Sequence, residues 1–151
     1  MRVAIGADHA GFELKEQLKR VLDDLRIEYT DVGTASLASV DYPDFAEVVA
    51  RGVATRQYDR GVLVCGSGIG MAMAANKVEG VRAASVTDEV SARLCREHND
   101  ANVLTLGARF TDADRAAAIL RAFLETPFEG GRHGQRIDKI HAIERRNGNN
   151  Q

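Results

Sequence analysis

The chain has 151 residues, of which 44% are hydrophobic and 28% charged, with a formal net charge of −2. That is the size and composition of one ordinary globular domain with a proper core. The near-zero charge offers no field for nucleic acid or an anionic lipid surface, and the longest apolar runs are far too short to span a bilayer.

The first segment, Arg2-Val3-Ala4-Ile5-Gly6, is a β-rich run entering the fold. It lacks the long apolar core of a signal peptide, so a cytoplasmic location is the expectation. Residues 11–25 carry Leu14, Leu18, Val21, Leu22 and Leu25 on one helical face. Residues 27–32 alternate and stop at Gly33, as a second strand does. Residues 34–43 read as a loop that closes at Asp41-Tyr42-Pro43, and residues 44–56 as a helix. Val62-Leu63-Val64-Cys65 is a continuously apolar third strand, the pattern of a strand covered on both faces. A helix over about residues 70–77 and a strand over 81–86 follow. Asp88 is placed to cap a helix running to about His98, and Asp112 one running to about Leu124. Between them lies the fifth strand, Val103-Leu104-Thr105-Leu106. A last amphipathic helix, about residues 133–145, carries Ile137, Ile140 and Ile143. One domain over residues 1–146 and a frayed tail over 147–151 are expected.

Strands alternating with helices make a parallel sheet with right-handed crossovers. The expected fold is therefore α/β: a Rossmann-like three-layer sandwich with a five-stranded parallel sheet and helices on both faces. Ligands of such sheets bind at the carboxyl ends of the strands, where the strand order reverses. Asp8 and His9 follow strand one, Cys65 to Gly70 strand three, and Arg109 strand five. That coincidence favours an enzyme over a scaffold.

The segment Cys65-Gly66-Ser67-Gly68-Ile69-Gly70 is the most informative in the chain. Glycine permits positive φ and close approach of backbone to a ligand, and the helix start that follows offers free N–H groups to an anion. A dinucleotide fingerprint fails in both registers, because its third glycine falls at Met71 or Met73. A mononucleotide P-loop fails too, since Gly11 precedes Phe12 rather than lysine. Three glycines around a serine exceed the needs of a tight turn. Cys65 is either an apolar filler or a functional thiol; Cys95, inside a helix, reads as core. The two cysteines match no zinc spacing and are expected as thiols rather than a disulfide. Asp8, His9 and His98 offer acid–base groups from separate loops, without the close-spaced pair a metal would want. Arg132 and Arg136 share a helical face and make either a solvated basic surface or a phosphate clamp.

Taken in order, Gly6-Ala7-Asp8-His9-Ala10-Gly11-Phe12, Asp41-Tyr42-Pro43, Cys65-Gly66-Ser67-Gly68-Ile69-Gly70, Ala74-Ala75-Asn76-Lys77, Arg82-Ala83-Ala84, His98-Asn99-Asp100-Ala101-Asn102-Val103-Leu104 and Gly130-Gly131-Arg132-His133 resemble the RpiB/LacAB family of sugar-phosphate isomerases, in particular its type B ribose-5-phosphate isomerases. The resemblance covers about residues 1–146. It implies an aldose–ketose isomerase for ribose 5-phosphate and ribulose 5-phosphate, with neither metal nor organic cofactor. By that likeness Cys65 is the base, Ser67 shuttles protons on the oxygens, and the amides of Gly66, Gly68, Ile69 and Gly70 stabilise a cis-enediolate. His98 opens the furanose ring and Asp8 assists. His9, Arg109, Arg132 and Arg136 hold the phosphate, and Tyr42 and Asn99 contact the sugar. The resemblance also implies a homodimer or homotetramer with sites shared between subunits, and no nucleic-acid or membrane partner. Some relatives carry a glutamate base just after the loop; here that position is Met71, which accepts no proton.

Six-carbon substrates such as allose 6-phosphate stay open at this stage, since residues 34–41 do not reveal their preference. Two other readings compete. An idle phosphosugar-binding module would be expected to lose Cys65 or His98, and both are present. A thiol-redox protein would want a C-x-x-C pair, and Cys95 is thirty residues away from Cys65.

Overall fold

A computed structural model of the protein describes residues 1–148. Five strands, β1 (Arg2–Ala7), β2 (Glu28–Asp31), β3 (Arg60–Cys65), β4 (Ala83–Ser85) and β5 (Val103–Gly107), form one parallel sheet in the order β2-β1-β3-β5-β4. The helices are α1 (Phe12–Asp24), α2 (Tyr42–Ala54), α3 (Ile69–Ala75), α4 (Glu89–Glu97), α5 (Ala113–Glu125) and α6 (Arg132–Gly148). The expected α/β sandwich is what the chain forms, because its three inner strands are apolar on both sides. Val3, Ile5, Val62, Leu63, Val64, Leu104 and Leu106 are all fully buried, which only a sheet covered on both faces allows.

Two cores result. On one face Leu14, Leu18 and Leu22 of α1 and Ile119, Leu120 and Phe123 of α5 pack on Val62, Val64, Leu104 and Leu106. On the other, Ala46, Val49 and Val53 of α2 and Met71 and Ala75 of α3 pack on Ala4, Leu63 and Cys65. The chain leaves β1 for α1 on the first face and β3 for α3 on the second. The carboxyl ends of these adjacent strands therefore diverge, opening the crevice in which such sheets bind ligands.

Local chemistry sets three of the six helix starts. Asp88 Oδ1 accepts the Ser91 N–H at 2.7 Å, and Asp112 Oδ1 accepts the Arg115 N–H at 2.9 Å, both expected caps. Several boundaries shift by a residue or two, β4 shrinking to Ala83–Ser85 from the expected 81–86, and two shifts change an assignment. Tyr42 and Pro43, expected in the loop, begin α2, where proline's fixed φ suits the first turn and its missing N–H costs nothing. α6 continues through Asn147 and Gly148, which the reading assigned to a frayed tail; residues 149–151 of that tail lie outside the described residues.

One buried charge was not foreseen. Lys15 sits on the apolar face of α1 and is 0% exposed. Its Nζ donates to Asp31 Oδ2 at 2.6 Å and to Glu16 Oε1 at 3.0 Å. Burial alone would raise the Asp31 carboxyl, but hydrogen bonds from Lys15, Lys19 and the Gly33 N–H outweigh it and hold it below its ordinary value. Asp31→Asn removes the nearer of the two carboxylates on this buried ammonium and leaves only the more exposed Glu16, so a loss of about 2 kcal/mol in urea unfolding at pH 7 is expected. The depressed carboxyl stabilises the fold fully above its unfolded value of about 3.9 and less as pH falls through the folded one. The variant should therefore also show a flatter acid limb. Equal stability of the two proteins at pH 7 would refute this.

Candidate active site

β1 ends at Ala7, and the next residue is tied to β3 through the Asp8 N–H on Val64 O at 3.2 Å. The buried Asp8 carboxylate accepts the Gly11 N–H at 3.0 Å and turns the chain into α1. A Cβ on Gly11 would stand 2.3 Å from Val64 O. Only glycine lets this loop lie so close to the residue preceding Cys65. His9 Nδ1 accepts the Val40 N–H at 3.2 Å. That bond occupies the Nδ1 lone pair and leaves Nε2–H as the donor of the neutral ring. It also draws the loop over residues 34–41 toward the end of β1.

Cys65 closes β3 and is 5% exposed. Its Sγ accepts the Gly68 N–H at 3.2 Å, and Ser67 Oγ accepts the Ile69 N–H at 3.2 Å. Gly68 takes φ +79°, a left-handed conformation suited to glycine. Its carbonyl accepts the buried Thr105 hydroxyl at 2.8 Å. A Cβ on Gly107 would stand 2.6 Å from the Ser67 backbone, so the loop rests directly on β5. β5 also feeds the site. The Ala108 N–H donates to Cys65 O at 2.9 Å and the Arg109 N–H to Gly66 O at 3.0 Å.

The Arg109 side chain folds back over the loop, its Nε 3.2 Å from where a Gly66 Cβ would be. The Tyr42 ring covers Gly70 from α2, with Cζ 2.5 Å from a Cβ built there. A thiol, a hydroxyl, a guanidinium, a phenol and the His9 imidazole thus gather at one end of the sheet. Met71 is fully buried in the core and presents no group to this crevice. Cys95 is the core residue expected, and burial pushes its thiol up to about 11.

His98, Asn99, Arg132 and Arg136 are not part of this gathering within one chain. The reason is direction. α4 runs back along the sheet, so His98, its C-cap, lands at the amino ends of the strands. There the Asn99 and Asp100 carbonyls accept the Arg82 guanidinium just before β4, and Asn102 O accepts the Gly61 N–H at the start of β3. From Gly61 to Cys65 the strand rises about 13 Å. The exposed Arg132 and Arg136 lie on the first turns of α6, beside His98, whose ring stacks on that of His133 with centroids 4.3 Å apart.

Sequence reasoning missed two members of this second group, His133 and Glu129. Their separation of four residues is a signal, but only the reversal at Gly130 and Gly131, with φ of +71° and +59°, makes it a contact. His133 Nε2 lies 3.5 Å from Glu129 Oε2.

Comparison with known proteins adds to this geometry. The profile of the family described as Ribose/Galactose Isomerase matches residues 3–140. Ribose-5-phosphate isomerase B of Escherichia coli is 44% identical over 145 residues, covering 96% of this chain and 97% of the relative. The structure of ribose-5-phosphate isomerase B of Clostridium thermocellum superposes with a TM-score of 0.96 at 46% identity, covering 97% of this chain and 99% of the other. That of Mycoplasma genitalium, solved with bound ribulose-5-phosphate, superposes with a TM-score of 0.92 at 44% identity, covering 95% and 96%.

Proposed function

The chain belongs to the ribose/galactose isomerase family, and on that premise we propose that it interconverts ribose 5-phosphate and ribulose 5-phosphate through a cis-enediolate. The observation that carries the reading is the Cys65 sulfur, held at a strand end by the Gly68 N–H in a glycine loop against which Arg109 and Tyr42 lie. Removing a proton α to a carbonyl needs a base and donors for the charge that develops on oxygen.

In the forward direction His98, assisted by Asp8, transfers the protons that open the furanose ring to the aldehyde. The Cys65 thiolate then takes the proton from C2, and the electron pair moves to form the C1–C2 double bond. Charge passes to the C1 oxygen, facing the amides of residues 66–70. Cys65 returns the proton to C1 while Ser67 carries a proton between the two oxygens, leaving the ketone at C2. The Gly68 and Ile69 N–H groups are engaged with Cys65 Sγ and Ser67 Oγ here; a bound enediolate competes for them.

His9, with its Nε2–H free to donate, and Arg109 hold the phosphate together with Arg132 and Arg136. Tyr42 and Asn99 contact the sugar. The placement of His98, Asn99, Arg132 and Arg136 at the far end of the sheet supports a homodimer or homotetramer, in which a second copy brings its amino-end group over the first copy's Cys65.

Purified protein in excess EDTA is expected to convert ribose 5-phosphate to ribulose 5-phosphate faster than it isomerises allose 6-phosphate. Turnover of the hexose alone would keep the chemistry and change the substrate. Binding of both without turnover would overturn the isomerase.

A further inference from the structure

His98, Glu129 and His133 each offer one ligand atom, and these atoms lie within 4.8 Å of one another. The three are held by the fold. His98 caps α4, His133 is buried in the first turn of α6, and the Glu129 N–H donates to Glu97 O at 3.1 Å, tying its backbone to the end of α4. Two imidazoles and a carboxylate are the donor set of many three-ligand zinc sites, with a fourth place open to water. Ligands about 2.0–2.1 Å from zinc stand roughly 3.3 Å apart, so the three atoms must draw together by more than an ångström, and the stacked His98 and His133 rings, 12° from parallel, must turn until both nitrogen lone pairs meet at one point. Glu129 is exposed and His98 half-buried, which supplies both the freedom to close and a path for the ion.

We propose that His98, Glu129 and His133 form a zinc site at which the ion inhibits the enzyme by occupying the His98 imidazole. The site itself rests on the geometry alone; its inhibitory consequence rests on the proposed ring-opening role of His98. Zinc competes there with the sugar and is not a cofactor.

The test uses EDTA-stripped, buffer-exchanged protein titrated with zinc chloride against a chromophoric chelator, with isomerase rates measured at the same free zinc. The wild type is expected to bind one zinc per chain and to lose activity as the site fills, and EDTA is expected to restore it. Glu129→Gln should keep the basal rate, bind zinc more than about tenfold more weakly, and stay active at concentrations that silence the wild type. Cys65→Ala should bind zinc as the wild type does, which separates this site from the reactive thiol. Unaltered binding in Glu129→Gln, or loss of binding in Cys65→Ala, would overturn the site. Zinc binding that depends on Glu129 but leaves turnover untouched would uphold the site and overturn the ring-opening role of His98.

Discussion

Cys65→Ala is expected to lose at least about 10³-fold in turnover, the scale of a general base removed from its reaction, with sugar-phosphate affinity little changed. In the proposed mechanism the sulfur accepts the C2 proton. It ends a central strand, accepts the Gly68 N–H at 3.2 Å and is almost enclosed. No second base stands in the loop, for Ser67 Oγ is engaged by the Ile69 N–H and Met71 points into the core. The groups assigned to the phosphate, Arg109 and His9, do not depend on the thiol for their positions. Arg109 is fixed by its N–H on Gly66 O and His9 by the Val40 N–H. Binding should therefore survive while chemistry stops. Calorimetry with ribose 5-phosphate and a coupled rate assay read the two quantities separately. Turnover within tenfold of the wild type would remove Cys65 from the mechanism.

The second large effect is a restoration. Cys65→Ala and His98→Ala proteins, each expected to be inactive alone, should regain about a quarter of wild-type activity when unfolded together and refolded as an equal mixture. In a two-fold dimer half of the molecules then carry one of each chain, and each such molecule has one intact site of its two. The expectation follows from where the fold puts the groups. Cys65 ends β3 and His98 ends a helix that runs the opposite way, about one strand length off. A site completed within one chain would show no restoration, because neither mutant chain holds both groups. Size-exclusion chromatography of the mixture confirms that dimers have formed and makes a negative result decisive against shared sites.

Much of this molecule was legible before its structure. The central strand announced itself as an unbroken apolar run, Val62 to Cys65, and Asp88 and Asp112 marked two helix starts by their capping chemistry. The glycine loop was readable as a site because three glycines around Ser67 serve more than a turn. The structure gives each a separate reason: Gly66 admits Arg109, Gly68 takes positive φ and Gly70 admits Tyr42. Lys15 was illegible, since a lysine beside Leu14 and Leu18 looks like the edge of an amphipathic face. Its burial depends on Asp31 of β2, outside the helix that carries it.

The sequence by itself determined the alternation of strands and helices, the sheet it implies, and the chemistry of the Cys65–Gly70 loop. Periodicity, capping and turn propensity act over a few residues and can be read there. Only the tertiary structure decided which end of the sheet each group reaches. It put Asp8, His9, Tyr42 and Arg109 with Cys65, sent His98 and Asn99 to the opposite end, and brought His98 against His133 and Glu129. Those outcomes depend on the direction in which each helix returns along the sheet and on a reversal at two glycines. Such contacts join residues far apart in the chain, and no local pattern encodes their distance.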